Sequence, residues 1–409
     1  MDYPKLRPIE MFPIQAEGET RIYIRDPLNY TKSQIMVSYP VYFILSHFDG
    51  HHSLLDIQEA FARQFSQVLA SDKVREIVAQ LDQHYFLDSE RFAQLQQDTL
   101  DTFRRSPVRE MAHADTCYSS QAEEFTQQAL AFFSGAEGPG LPSADGQALP
   151  PVRGIIAPHI DLRVGGPCYA WAYKELAERC DADLFILLGT SHYGMGQLFV
   201  ATEKDYNTPL GPVKTDQEFI RALQQNYSGD LFADELLHRT EHSLEFQTLF
   251  LQYILAGKQD FTVVPILVSS FHHLVANQTP PAQDPRVAAF LSALKETIAR
   301  SGRKVCFVAG VDFAHVGQKF GDQGQLTEEF LDWVKTEDHR LIQALEKVDH
   351  ADFFAQIAKD GDRRRICGFS PMYTFLHLVD ATQGKLLKYD RSVESTTQSS
   401  VSFASLAFY

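Results

Sequence analysis

The sequence predicts a two-domain α/β protein: a small winged-helix-like α+β domain, then a larger αβα domain built on a mainly parallel or mixed sheet. Three observations lead there. The chain has 409 residues, more than one hydrophobic core usually serves. In its second part, apolar runs alternate with helical stretches, the rhythm of strands covered by helices on both faces. Several of those runs stop at a histidine or an aspartate, which is how open α/β sheets place chemistry at one edge.

Residues 1–95 read as the first domain. GETRIYIRDPLNY alternates like a short hairpin strand. SQIMVSYPVYFILSHFDG is a helix or apolar run ended by Asp49-Gly50. SLLDIQEAFARQF follows, with Ser53 as a cap and Leu54, Ile57, Phe61 and Phe65 on one face. SDKVREIVAQLDQHYFL repeats the helical spacing at Val74, Ile77, Val78 and Leu81, and Phe86-Leu87 enter a closing strand. The DG turn before a helix and the closing LxxHYFLD pattern resemble the small PqqD-like peptide-recognising domains found beside radical enzymes. The resemblance implies a peptide or protein partner bound between a helix and a strand edge. A purely structural or dimerising module is the alternative.

Residues 96–149 read as a helix, QAEEFTQQALAFF, and a Gly/Pro/Ser-rich linker, with the domain boundary near Pro150. From 150 to 409 the strand candidates are VRGIIAP, DLFILLGT, FTVVPILV and KVCFVAGV. The helix candidates between them include CYAWAYKELAERC, DQEFIRALQQN, SLEFQTLFLQYIL and RVAAFLSALKETIARS. The closing RSVESTTQSSVSFASLAFY alternates polar and apolar residues and predicts late, half-buried or antiparallel strands.

Composition narrows the function. Apolar residues make up 44% and charged residues 22%, an ordinary globular mixture, and the formal net charge is -16. Nucleic acid is therefore not an expected partner. No segment reads as a signal peptide or a membrane span. The five cysteines are never spaced as CxxC, which suggests a reducing compartment and a cytoplasmic location.

The chemistry-bearing residues cluster after the apolar runs. His159 follows Pro158, with Asp161 and the Gly165-Gly166 pair just beyond. His192 follows the small-residue turn Gly189-Thr190-Ser191. Glu241, His242 and Glu245 open a helix, where the acids either line a pocket or cap and solvate the helix start. Asp312 and His315 follow FVAGV; the acid is suited to orienting an imidazole or water, and the histidine to moving a proton near neutral pH. Cys367 follows Arg363-Arg364-Arg365, whose field is expected to lower its thiol pKa. His272-His273 marks another strand end, with only one ring able to face a site. Each has a structural reading on its own; two imidazoles and one thiolate together would hold a divalent metal with positions open.

Taken in order, APHIDLRVGG, GTSHYG, EHSLEFQ, VDFAHVG and ICG resemble the Memo family, including the protein B component associated with AMMECR1-type and radical SAM proteins. The resemblance covers residues from about 150 to the C-terminus. It implies metal ligands at His159, His192 and Cys367, and pocket residues at Asp312, His315 and His242 acting in catalysis. Ile160-Asp161 stands where many members have Ala-Gly, which places a carboxylate near the expected metal. The family fold is similar to class III extradiol dioxygenases, which use two histidines and a glutamate. A softer thiolate ligand points away from catechol cleavage and toward iron or copper redox chemistry, with zinc able to occupy the same ligands. The expected function is a metal-dependent oxidoreductase, acting with a radical SAM or peptide-modifying system. The alternatives are a non-catalytic accessory protein of that system and a zinc-dependent hydrolase, although no GxSxG or HExxH motif supports the last.

Overall fold

Four apolar strands that run the same way make the frame on which the rest of the larger unit is hung. The computed structural model describes every residue except 17, 144–149 and 195, together with the side chain of residue 15. The chain divides into a unit of Met1–Arg105 with Glu394–Gln398, and a unit of Ser106–Val393 with Ser399–Tyr409.

The first unit opens with β1 (Glu10–Ala16), β2 (Glu19–Arg25) and β3 (Ile35–Val37), an antiparallel sheet in that order. Helices α1 (Tyr39–Leu45), α2 (Leu54–Phe65), α3 (Ser71–Gln83) and α4 (Glu90–Arg105) follow. Ser53 caps α2 through a reciprocal box with Asp56, so two otherwise orphaned N–H groups are satisfied at the helix start. Ile57 and Phe61 of the predicted α2 face are buried with Ile44, Val78 and Leu81. Leu87 makes a single bridge to Leu6 rather than entering a full strand.

The second unit contains β4 (Val108–Arg109), α5 (Ala122–Ser134), β5 (Gly154–Ala157), α6 (Leu162–Arg179), β6 (Leu184–Thr190), β7 (Phe199–Ala201) and β8 (Asp205–Tyr206). It continues with α7 (Gln217–Asn226), α8 (His242–Leu255), β9 (Thr262–Val268), α9 (His272–Ala276), α10 (Pro285–Ser301), β10 (Val305–Gly310) and β11 (His315–Gly317). Helices α11 (Glu328–Glu346), α12 (His350–Ala358) and α13 (Phe369–Leu378) and strands β12 (Gly384–Glu394) and β13 (Ser399–Phe408) complete it. The eight-stranded sheet runs β11-β13-β5-β10-β6-β9-β7, with β12 on β13. Strands β5, β10, β6 and β9 are parallel, whereas β7 and β13 join them antiparallel, so the sheet is mixed. Strand β6 is buried along its whole length, as expected for a strand covered on both faces. Separate apolar clusters occupy the two faces; Ile186, Leu188 and Ile266 belong to one and Phe185, Leu187 and Leu267 to the other.

The expected boundary near Pro150 lies inside this second unit. The segment 96–149, read as helix and linker, carries Arg109, Tyr118, Phe125 and Phe133, all of them buried. The predicted helix there is α5, and its Phe125, Ala129 and Phe133 complete the apolar cluster that also holds Tyr169, Phe250 and Leu255. The same Gly/Pro composition that suggested a linker includes 144–149, which lie outside the described residues. The last residues before the seam, Phe92 and Phe103, are buried on α4, which runs past the boundary expected at 95.

Candidate functional site

Strand register brings the first three site residues together. Ala157 of β5, Gly310 of β10 and Gly189 of β6 stand side by side at the carboxyl edge. His159, Asp312 and His192 follow them within three residues, so all three rise from the same edge. The helix that carries His242 reaches that edge through small residues. A Cβ at Gly310 would lie 2.4 Å from Ser243 O, and one at Gly189 would lie 2.5 Å from Ser243 Oγ. Side chains at either position would push the start of α8 away. Gly368 does the same for the last piece, since a Cβ there would meet Asp312 O at 2.6 Å. Close approach at this glycine sets Cys367 beside Asp312.

Ligand-capable atoms of His159, His192 and His242 all lie within 4.8 Å of one another. The ring of His192 stacks on that of His242 at 4.9 Å between centroids, and His159 stands 4.9 and 5.1 Å from them. Cys367 Sγ is 3.2 Å from His159 Nε2. The His159 side chain is 2% exposed, whereas those of His192 and His242 are 25% and 32% exposed. His159 thus forms the closed end of the cluster and the other two rings form its approach. Burial, with His192 adding to it, drives His159 well below its ordinary pKa, and burial does the same to His242. Both rings are neutral, which is the form that coordinates a cation.

One carboxylate sets two of these rings. Glu241 accepts from His192 N at 3.0 Å, sits 3.0 Å from His192 Nδ1 and 3.2 Å from His242 Nδ1. Burial opposes its charge, yet His192 and His242 bring it well below the usual carboxylate range. His159 Nδ1 faces Gly310 O at 3.2 Å. With Nδ1 of each ring engaged, Nε2 is the nitrogen for a ligand, the arrangement in which outer partners fix imidazole tautomers.

Asp312 accepts from the backbone N–H groups of His159 and Ile160, at 2.9 and 3.3 Å. Burial raises its pKa to about 6, against the opposing pull of His315. His315 Nδ1 lies 3.1 Å from Phe313 O, and burial lowers its pKa. Asp312 Oδ2 stands 3.6 Å from His159 Nε2, and the charge of His315 acts on both.

Other expectations change. The basic run before Cys367 does not lower its thiol pKa. Arg364 is buried against Asp338, Arg365 pairs with Asp322, and Arg363 lies over Trp333. Burial, reinforced by Asp312, pushes the Cys367 thiol well up instead. Asp161 caps α6 by accepting from Arg163 N at 2.9 Å and pairs with the Arg163 guanidinium. Among the described residues it does not belong to the metal-capable group. His272 and His273 start a short helix rather than end a strand, and neither joins the histidine cluster.

Glu245 does not line the pocket. It is buried against Arg109, Tyr118 and the N–H groups of Ala112 and His113. Arg109 also donates to His238 O and Glu241 O, at 2.8 and 2.9 Å. His113 holds Thr240 O at 2.8 Å, and its ring stands 5.6 Å from that of His242. This strap was missed because its signal is non-local. Glu245 is the one charged residue of the run SLEFQTLFLQYIL, and a charge buried there needs a distant cation.

A family described as Memo-like protein matches residues 109–407. A MEMO1 family protein of Aquifex aeolicus is 29% identical over 99% of this chain and 100% of its own length. One from Pyrobaculum aerophilum is 30% identical over 74% of this chain and 99% of its own. One from Methanopyrus kandleri is 29% identical, again over 74% of this chain and 98% of its own. The Aquifex relative thus spans both units, whereas the shorter relatives leave about a quarter of this chain unmatched.

Proposed function

The chain belongs to the Memo family, and on that premise we propose that its second unit is a metal-dependent oxidoreductase using iron or copper. His159, His192 and Cys367 would hold the ion, with His242 as a further nitrogen on the approach side. The observation that carries the reading is the Cys367 sulfur 3.2 Å from His159 Nε2, beside a metal-capable group that itself comprises His159, His192 and His242. Ligands at about 2.0–2.3 Å around a four-coordinate ion sit roughly 3.3–3.7 Å apart, so this pair, at 3.2 Å, would open slightly to serve as two ligands of one cation. The imidazole nitrogens need only small ring movements to follow. A thiol whose pKa is raised by burial becomes a thiolate beside a cation, and a metal ion in this cluster would supply that charge.

A bound iron or copper ion would supply one-electron chemistry to a substrate entering over His192 and His242. Asp312, poised near neutral pH by burial, holds or releases a proton at its carboxyl oxygen. His315 is the neutral imidazole that exchanges that proton with solvent or substrate. Glu241 fixes the tautomer and tilt of His192 and His242. The family relation and the first unit together support service to a radical SAM or peptide-modifying system, with the first unit binding the peptide or protein partner and raising its effective concentration.

The test is metal content after anaerobic reconstitution. Wild-type protein is expected to retain one equivalent of iron or copper through desalting. Cys367→Ser and His192→Ala should each lose most of it while keeping the wild-type melting profile without metal. Absence of stoichiometric metal under every loading condition defeats the reading, and selective retention of zinc redirects it to hydrolysis.

A further inference from the structure

We propose that Ser270, His272 and Asp362 form a second, metal-independent site that hydrolyses small carboxylic esters. Strand β9 ends at Val268, in register with Thr190 of β6. Ser270 is therefore delivered to the same carboxyl edge as His192, on the far side of β6 from His159. Ser270 Oγ lies 2.6 Å from His272 Nδ1. His272 Nε2 faces Asp362 Oδ2. The Asp362 carboxylate is 1% exposed and its other oxygen accepts from Ile366 N at 3.0 Å.

That order is nucleophile, base and orienting acid. A buried carboxylate on one ring nitrogen selects the tautomer that protonates Nε2 and leaves Nδ1 to accept from the serine hydroxyl. The nitrogens are used in the opposite sense to the familiar serine proteases, which is immaterial to the proton path. The competing view is that Ser270 merely steadies the start of α9, since its Oγ also accepts from His272 N at 3.2 Å. A hydroxyl has room for both bonds, because it accepts one and donates the other.

Ser270 also opens on a cavity of about 280 Å³, lined in addition by Gly194, Gly196, Gln197, His273 and Arg286. Asp284 tethers Arg286 through Nε and Nη2. The guanidinium, 56% exposed, puts positive charge on the cavity wall, where it would attract a developing oxyanion. The cavity suits a short acyl group rather than a long chain.

In the reaction, Ser270 Oγ bonds to the ester carbonyl carbon as its proton passes to His272 Nδ1. The carbon–oxygen bond to the leaving alcohol then breaks, and His272 returns the proton to that oxygen. Water attacks the acyl-serine with His272 as base, releasing the acid and restoring Ser270. Ester and water become acid and alcohol, with no redox change.

The experiment follows p-nitrophenyl acetate hydrolysis by the full chain, in chelator and after metal loading. The expected result is a burst of p-nitrophenol near one equivalent, unchanged by chelator. Ser270→Ala should lose the burst and at least 100-fold in kcat/KM. Asp362→Asn should lower kcat at least 10-fold and shift the pH profile, with the wild-type melting temperature retained. Ser270→Cys should keep a burst, which a merely structural serine would not predict. Equal turnover by wild type and Ser270→Ala overturns the proposal. So does turnover that vanishes with chelator, since that assigns hydrolysis to the histidine cluster.

Discussion

Two glutamates open the same helix four residues apart, and they have opposite fates. Glu241 turns to His192 and His242 at the edge of the sheet. Glu245 turns to Arg109 and Tyr118 in a closed network without solvent. Both carboxylates are buried and both are held in the charged form by their neighbours. The cap of α8 is therefore a working surface with a 32% exposed imidazole beside its acid, and the next turn of the same face is a clamp. The difference teaches that burial alone does not mark a functional acid; the partner's chemistry does. Neutral imidazoles can take a cation, whereas a guanidinium is already the cation.

The largest effect is expected from breaking the clamp. Glu245→Ala leaves Arg109 buried and uncompensated, a change that costs about 3–5 kcal/mol. Thermal and urea melting of the full chain should show the second unit failing well before the wild type. The double change Arg109→Met with Glu245→Leu should recover only the charge-burial part of that loss, because it still orphans His238 O, Glu241 O, the Tyr118 hydroxyl and the N–H groups of Ala112 and His113. A single variant as stable as the wild type would show that Glu245 is not a clamp, and the contrast with Glu241 would collapse.

Acid should strike the clamp side next. His238 gives its carbonyl to Arg109, and its ring is pinned by Tyr206 OH at 2.8 Å and Val200 O at 3.0 Å. Burial lowers its pKa from 6.5 to about 3. The unfolded chain therefore binds a proton that the folded chain refuses between those values, and stability must fall with falling pH across that window. Its contribution is fully present above pH 6.5 and is lost by the time pH reaches about 3. At roughly 1.4 kcal/mol per pKa unit, the full span is on the order of 4–5 kcal/mol. His238→Gln should be less stable at pH 7 yet show a flatter loss between pH 6.5 and 4. An unchanged acid slope would remove His238 from the account.

Glu241 should behave differently. Gln in its place keeps the size and one hydrogen bond but loses the charge that holds two imidazoles. Removal of such an outer partner typically costs about 10–100-fold in metal affinity. Competition titration against a chromogenic chelator should show that drop, with a melting change smaller than that of Glu245→Ala. If the two glutamate variants lose stability equally and metal affinity not at all, both acids belong to the scaffold.

Much of this frame was legible in the residues. Hydrophobic runs ending at His159, His192 and Asp312 correctly predicted three neighbours at one sheet edge, because parallel register is set by buried strands with no freedom to slip. The family likeness adds Cys367, which no local pattern would have tied to His159 across 208 positions. Other features were hidden for physical reasons. The strap at Arg109–Tyr118 reads as linker because its buried residues are few and spaced by polar ones, and their partners lie on α8. The arginines before Cys367 looked like a field on the thiol, but each is consumed by its own partner. His272-His273 reads as a strand end with one ring able to face a metal site, and Ser270 carries no local signal, since the acid that gives them meaning is Asp362, 90 residues on from His272.

The smallest effect concerns Asp161, a carboxylate expected near the metal. Its carboxylate seemed set to join the metal. In the fold it is spent on Arg163 N and the Arg163 guanidinium, and it borders Cys117, whose thiol is raised to about 12 by burial first and by this acid second. An N-cap of this kind is worth about 1 kcal/mol. Asp161→Ala should therefore lower the melting temperature slightly and leave the order of affinities for iron, copper and zinc as in the wild type. A reordered affinity series would mean that the carboxylate leaves its cap to reach the ion. Three acids rather than two would then divide between scaffold and site, and the contrast between Glu241 and Glu245 would become a graded one.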